Sequence, residues 1–214
     1  MASDRSSSNA SDGDAEITLG LLNAVQENST ITQRSVANDL GIALGLANAY
    51  LKRCVRKGLI KISQVPPNRY AYYLTPHGFS EKSRLTSEYL SSSFTFFRRA
   101  RRQCGEALDY CAARDWTHIA LAGSGELAEV ATLCAAEREI ALIGLIDPET
   151  SVKIFAGLNV VRSAKALDNL DAILVTDLRA PQAVFDELSK SLTGERVLTP
   201  SLLGVMRQQT EALP

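Results

Sequence analysis

Thr32-Gln33-Arg34-Ser35-Val36-Ala37-Asn38-Asp39-Leu40-Gly41-Ile42-Ala43-Leu44-Gly45-Leu46-Ala47-Asn48-Ala49-Tyr50-Leu51-Lys52-Arg53-Cys54 sets the architecture of the N-terminal half. Thr32 is an N-cap residue, Val36, Ala37 and Leu40 share one helical face, and Gly41 supplies the tight turn that follows. A second apolar face, Ala47, Tyr50, Leu51 and Cys54, belongs to a helix from about Leu44 to Lys57 that Gly58 closes. The product is helix, short glycine turn, helix. Upstream, Ile17, Leu21, Leu22 and Val25 predict a preceding helix ended by Asn28-Ser29. Downstream, Leu59 to Val65 and Tyr70 to Leu74 read as β-rich runs around Pro66-Pro67-Asn68-Arg69, a hairpin stiffened by proline at its tip.

Charge is segregated along the chain. Residues 28–102 hold thirteen Lys/Arg against Asp39, Glu81 and Glu88, although the whole protein carries a net charge of only −1. A basic block on a compact helical module points to a phosphate-backbone partner, because neutralising phosphates releases condensed counterions. With 214 residues and 45% hydrophobic content, the chain suits two small domains, each able to bury a core. No run approaches the ~20 apolar residues of a membrane helix, and residues 1–14 lack a secretory apolar segment, so a cytoplasmic protein without membrane contact is expected. Cys54, Cys104, Cys111 and Cys134 show no CxxC spacing and read as reduced thiols.

Thr75-Pro76 starts a long helix over much of residues 78–114. In it Leu90, Phe94, Phe97, Arg101, Cys104, Leu108 and Cys111 follow steps of four and three, a heptad seam interrupted at Arg101 that predicts a homodimer contact. The run Arg98-Arg99-Ala100-Arg101-Arg102 is either a solvated face or a further phosphate contact.

Ile31-Thr32-Gln33-Arg34-Ser35-Val36-Ala37, Leu40-Gly41-Ile42, Lys57-Gly58-Leu59-Ile60-Lys61 and Tyr73-Leu74-Thr75-Pro76-His77-Gly78 resemble the MarR-type winged helix-turn-helix over residues 15–102. With Glu81-Lys82-Ser83-Arg84-Leu85-Thr86 following, the set is most similar to regulators associated with exopolysaccharide gene clusters. The resemblance implies double-stranded DNA as partner, with Gln33 and Arg34 near the duplex. On the third helix the face away from the core presents Leu44, Gly45, Asn48, Ala49 and Lys52, with Arg53 at its border. Asn pairs bidentately with adenine, Lys and Arg reach guanine or phosphate, and glycine admits close backbone approach. Lys61 and Gln64 could touch phosphates, Asn68 belongs to the wing, and Arg69 could enter the minor groove.

From His118 the texture becomes alternating β and α. His118 to Ala122, Ile140 to Ile146, Leu158 to Val161, Ala172 to Thr176 and Arg196 to Leu198 predict strands, with helices at Gly125 to Ala136 and Pro181 to Lys190. The expected fold is therefore an N-terminal α+β winged helix-turn-helix, a helical linker and a small α/β Rossmann-like parallel sheet. The expected divisions are a disordered tail over 1–13, the winged helix over 14–86, a linker and dimerisation segment over 87–115, the Rossmann-like domain over 116–203 and a tail over 204–214.

Gly123-Ser124-Gly125-Glu126-Leu127-Ala128 matches GxGxx(G/A) between a strand and a helix, where glycines let a helix N-terminus face a pyrophosphate. Asp147 closes the next strand 24 residues after Gly123, near the ~20 expected for a ribose-binding carboxylate. Gly123, Ser124, Gly125, Glu126, Ala128 and Asp147 are therefore the candidate ligand contacts; the alternative is a core that uses these glycines for packing alone. The arrangement over 117–203 resembles the NAD(H)-binding domain of the redox-sensing repressor Rex and the nucleotide-sugar-binding domain of bacterial sugar acyltransferases. A long domain-swapped C-terminal helix and a hexapeptide-repeat domain, which mark those two groups, are both missing from the sequence.

His77, at the wing-to-helix junction, and His118, opening a strand, read as structural residues, and no metal-ligand or Ser/His/Asp cluster stands out. Cys104 and Cys111 share a helix face, where they either pack or oxidise across a dimer, and Trp116 is expected to anchor the domain junction. The expectation is a non-enzymatic regulator of surface-polysaccharide genes sensing a nucleotide-sugar, or else NAD(H). A ligand-free architectural protein and a small nucleotide-sugar enzyme are the rival classes.

Overall fold

The computed structural model describes residues 4–65, 69–138 and 140–207. The chain divides into two compact units, Met1–Ser93 and Phe94–Pro214. The first contains α1 (Asp4–Glu27), α2 (Gln33–Asp39), α3 (Leu44–Arg56), the hairpin of β1 (Ile60–Val65) and β2 (Arg69–Leu74), and the start of α4 (Pro76–Ala112). Helix extends back through residues 4–13, where composition reads as an unstructured tail; adding turns to a helix already nucleated by Leu19, Leu21, Leu22 and Val25 costs little.

The expected helix-turn-helix is present. Thr32 accepts from the Ser35 amide at 3.0 Å and Ser35 Oγ accepts from the Thr32 amide at 3.0 Å, a reciprocal capping box that fixes the start of α2. Gly41, at φ +62°, turns the chain into α3, whose buried face is the expected set Ala47, Tyr50, Leu51 and Cys54. β1 and β2 pair antiparallel from Ile60↔Leu74 to Val65↔Arg69, which gives the wing its two strands. Thr75 then caps α4: its hydroxyl accepts from the Gly78 amide at 3.0 Å and donates to the Gly58 carbonyl at 2.6 Å. Gly78 lies so close to the Leu59 carbonyl that a Cβ would stand 2.0 Å from its oxygen, so only glycine allows this contact.

The second unit is built on a six-stranded sheet, β5-β6-β4-β3-β7-β8. Its strands are β3 (Ile119–Ala122), β4 (Leu142–Ile146), β5 (Ile154–Phe155), β6 (Leu158–Val161), β7 (Ala172–Val175) and β8 (Val197–Leu198). All neighbours are parallel except β5, a short edge strand that sequence reading misses and that pairs antiparallel with β6. The sheet is thus mixed and parallel-rich, with α5 (Glu126–Ala136) and α6 (Pro181–Leu188).

Alternation along the strands assigns the two faces. Ile119, Leu121, Leu145, Ala172 and Leu174 pack with α5 and with Ala100, Cys104, Leu108 and Cys111 of α4. Ala120, Ala122, Ile146, Ile173 and Val175 pack with Phe185 and Leu188 of α6. The second half of α4 is therefore a core helix of the sheet unit, which departs from a separate linker over 87–115. The heptad seam is split accordingly: Cys104, Leu108 and Cys111 are buried within their own chain and cannot face another copy, while Leu90, Phe94 and Phe97 remain exposed. A period of 3.5 cannot tell a helix seated on a sheet from one seated on a partner.

Candidate functional site

The reading face of α3 is built by the burial of its opposite side. With Ala47, Tyr50, Leu51 and Cys54 in the core, Gly45, Ala49, Lys52 and Arg56 form an exposed stripe at steps of four, three and four, flanked by Leu44 and Leu46. Arg56 is the residue that sequence reading misses, although its spacing from Lys52 could have found it. Space beside Gly45 is open, so a ligand can approach the backbone there. Gln33, Arg34, Lys61 and Gln64 are exposed as well.

Two expected contacts are placed differently. Arg53 donates to Asp14 Oδ2 at 2.7 Å, and the Tyr50 hydroxyl donates to Asp14 Oδ1. These bonds hold Asp14 below the ordinary carboxylate range and commit Arg53 to tying α3 to α1. The Asn48 side chain is half-buried, and its Oδ1 is enclosed without a hydrogen-bond partner among the described residues. It reaches a base edge only by turning outward. Asn68 lies outside the described residues; Arg69 opens β2, and its side chain lies outside them too. In the arginine run, Arg101 pairs with Glu137 at 2.7 Å and Arg102 with Glu106 at 3.6 Å, so these two charges are compensated locally.

The second candidate site lies at the carboxyl-terminal ends of the parallel strands. The register aligns Val161, Ile146, Ala122 and Val175 in one row, so Arg162, Asp147, Gly123 and Thr176 follow in the next. The connection after β3 runs toward β4 and the connection after its neighbour β7 runs the other way, toward β8; at such a switch point the loops part to leave a crevice. Here a cavity of about 850 Å³ is lined from the ends of β3, β4, β6 and β7 and by α6. The β4-to-β6 connection contains the β5 hairpin and no helix, which leaves that part of the α6-side face to the cavity.

Of the expected ligand contacts, Gly123 and Asp147 line this cavity, whereas Ser124, Gly125, Glu126 and Ala128 are not among its lining residues. Asp147 accepts from both the amide and the hydroxyl of Ser124, and its other oxygen accepts from the amides of Glu149 at 3.0 Å and Thr150 at 3.2 Å. Burial pushes Asp147 up, and these hydrogen bonds outweigh burial and hold it below the usual carboxylate value. Its acceptor capacity is spent on two loops of its own unit, so it is a clamp where sequence reading places a ribose ligand. Gly123, at φ +102°, abuts Asp177: a Cβ would lie 2.5–2.6 Å from its backbone and Cβ. Thr176, buried and unforeseen, donates to the Gly123 carbonyl at 2.7 Å and pins the turn from the other side. Ala128 is wholly buried against the sheet, so its smallness serves packing. Gly125 and Ser124 are half-buried, and Glu126 is exposed.

His118 Nδ1 stands 3.4 Å from Asp171, whose carboxylate also accepts from the Thr117 and His118 amides, a structural clasp at the start of β3. Trp116 packs edge-on against Tyr110, with ring centroids 5.9 Å apart, inside the sheet unit. Among the described residues no group of three or more His, Cys, Asp or Glu could hold a metal ion, and no helix is long and apolar enough to cross a membrane.

Residues 14–61 match the family model described as winged helix-turn-helix DNA-binding. No curated protein matches the chain. Among solved structures, the chain is similar to MepR, a transcription regulator of the Staphylococcus aureus multidrug efflux pump MepA, at 26% identity and a TM-score of 0.33. That match covers 39% of this chain and 61% of MepR. The S. aureus MepR–DNA complex is similar at 26% identity and a TM-score of 0.34, over 39% of this chain and 60% of the MepR chain.

Proposed function

We propose that this chain is a cytoplasmic, non-enzymatic transcription regulator whose two copies lay α3 in the major groove of a pseudo-palindromic site on double-stranded DNA. The exposed stripe Gly45, Ala49, Lys52 and Arg56 is the observation that carries the reading. Small residues at its start allow close approach to base edges, and cations at its end meet the phosphates. The family match over residues 14–61 and the basic block over 28–102 support it. The exposed Leu90, Phe94 and Phe97 of α4 give a second copy an apolar face to cover.

The sheet unit, read as Rossmann-like, holds a nucleotide-containing ligand that favours one dimer geometry over another; a ligand with equal affinity for both would change nothing. The motifs shared with exopolysaccharide-associated regulators favour surface-polysaccharide genes as targets and a nucleotide-sugar, the activated building block of such polymers, as effector. Fluorescence anisotropy on duplexes selected from a random pool tests the DNA reading: a selected site binds at least 10³-fold tighter than random duplex at physiological salt. Failure to bind any duplex at 50 mM salt would overturn it.

A further inference from the structure

We propose that the sheet unit takes a nucleoside diphosphate whose phosphates lie on Arg162 and Lys165, and not at the glycine turn Gly123-Ser124-Gly125. This rests on the reading of the unit as a nucleotide sensor, and it relocates the charged end of the ligand.

The glycine turn is already engaged. Asp147 takes the Ser124 amide and hydroxyl, and Thr176 takes the Gly123 carbonyl. Glu126 and Glu129 stand in the first turn of α5, where their charges satisfy the helix N-terminus and repel a phosphate. The cavity touches the turn only at Gly123 and extends from there between α6 and the end of β6, where Arg162 and Lys165 line it.

Its lining carries four carboxylates and four cations, most of which cancel locally. Asp147 is spent on Ser124 and on the amides of Glu149 and Thr150. Asp177 caps the Arg179 and Ala180 amides at 2.8 and 2.7 Å and has the Arg179 guanidinium 3.7 Å away; Glu187 pairs with Lys190 at 2.5 Å. Arg162 and Lys165 are exposed and have no ion-pair partner among the described residues, as is true of Glu149 on the β4 loop. Two uncompensated cations three residues apart suit the adjacent charges of a diphosphate. Ala122 and Ile146 from the sheet, with Val184 and Leu188 from α6, supply apolar surface for the flat face of a base. Glu149 is the free acceptor for a ribose hydroxyl. The volume, about 850 Å³, lies in the range of pockets that enclose ligands of this size, ~300–1,000 Å³.

Calorimetry with UDP and ADP as probes, and uridine and adenosine as phosphate-free controls, decides the placement. The wild type binds at least one diphosphate tenfold or more tighter than its nucleoside. The double variant Arg162→Ala/Lys165→Ala loses at least tenfold for that diphosphate and keeps the nucleoside affinity, whereas Gly125→Val, or the milder Gly125→Ala, stays within twofold of wild type. The reverse pattern, loss at Gly125 with Arg162→Ala/Lys165→Ala unaffected, overturns the placement and leaves the sensor reading standing. A wild type that binds neither diphosphate removes the sensor reading and this inference together. Unchanged melting curves establish that each variant is folded.

Discussion

The Asp147 carboxylate, at the end of β4, accepts both the amide and the hydroxyl of Ser124, at the end of β3. One side chain thereby closes the glycine turn onto the neighbouring loop, and its low pKa follows from those bonds. A carboxylate held below its unfolded value stabilises the fold above that value, ~3.9 for aspartate, and the contribution is lost as pH falls through the folded pKa. Asp147→Asn is therefore expected to lower the melting temperature at pH 7 and to flatten its decline below about pH 4. A variant whose melting temperature falls in parallel with wild type across that range would remove Asp147 as a source of acid sensitivity.

Lys52→Ala and Arg56→Ala are each expected to reduce the slope of log affinity against log salt by ~0.9 for every phosphate the side chain neutralises in the wild type. Arg53→Ala should leave that slope unchanged and lower the melting temperature, because its guanidinium is bound to Asp14. A salt titration by anisotropy separates the two roles.

Asn48→Ala removes an enclosed acceptor that has no partner among the described residues, so no loss of stability is expected from it. If Asn48 turns out to read adenine, discrimination between selected and random duplex falls by ~1–3 kcal/mol. Equal weakening on both duplexes would mark a backbone contact.

Phe97→Asp places a charge on the exposed face of α4. Sedimentation at micromolar concentration should show a shift from dimer to monomer, with the thermal melt little changed since the side chain is outside the core. A Phe97→Asp protein that stays dimeric puts the interface elsewhere.

Burial pushes the Cys104 thiol up to about 12 and the Cys111 thiol up to about 11, so neither forms appreciable thiolate at neutral pH. Alkylation by iodoacetamide followed by mass spectrometry should leave both unmodified in the native protein and modify both in denaturant. Rapid native labelling of either would reopen a redox role.

Local chemistry was enough to specify the winged helix: the Thr32 cap, Gly41, the stripe Ala47-Tyr50-Leu51-Cys54 and the Thr75-Pro76 start each act within a few residues, and each forms as its sequence dictates. The strands β3, β4, β6, β7 and β8 were legible for the same reason, as short apolar runs between turn residues. Long-range packing resolved what the spacing left open. Whether Cys104, Leu108 and Cys111 face a partner or their own sheet depends on where α5 and β3 lie, since both surroundings select the same apolar period. Whether Asp147 is free for a ligand depends on the amides brought beside it from residues 124, 149 and 150. Arg53 was claimed by Asp14, 39 residues away, and a charge pair at that separation leaves no local mark in the sequence.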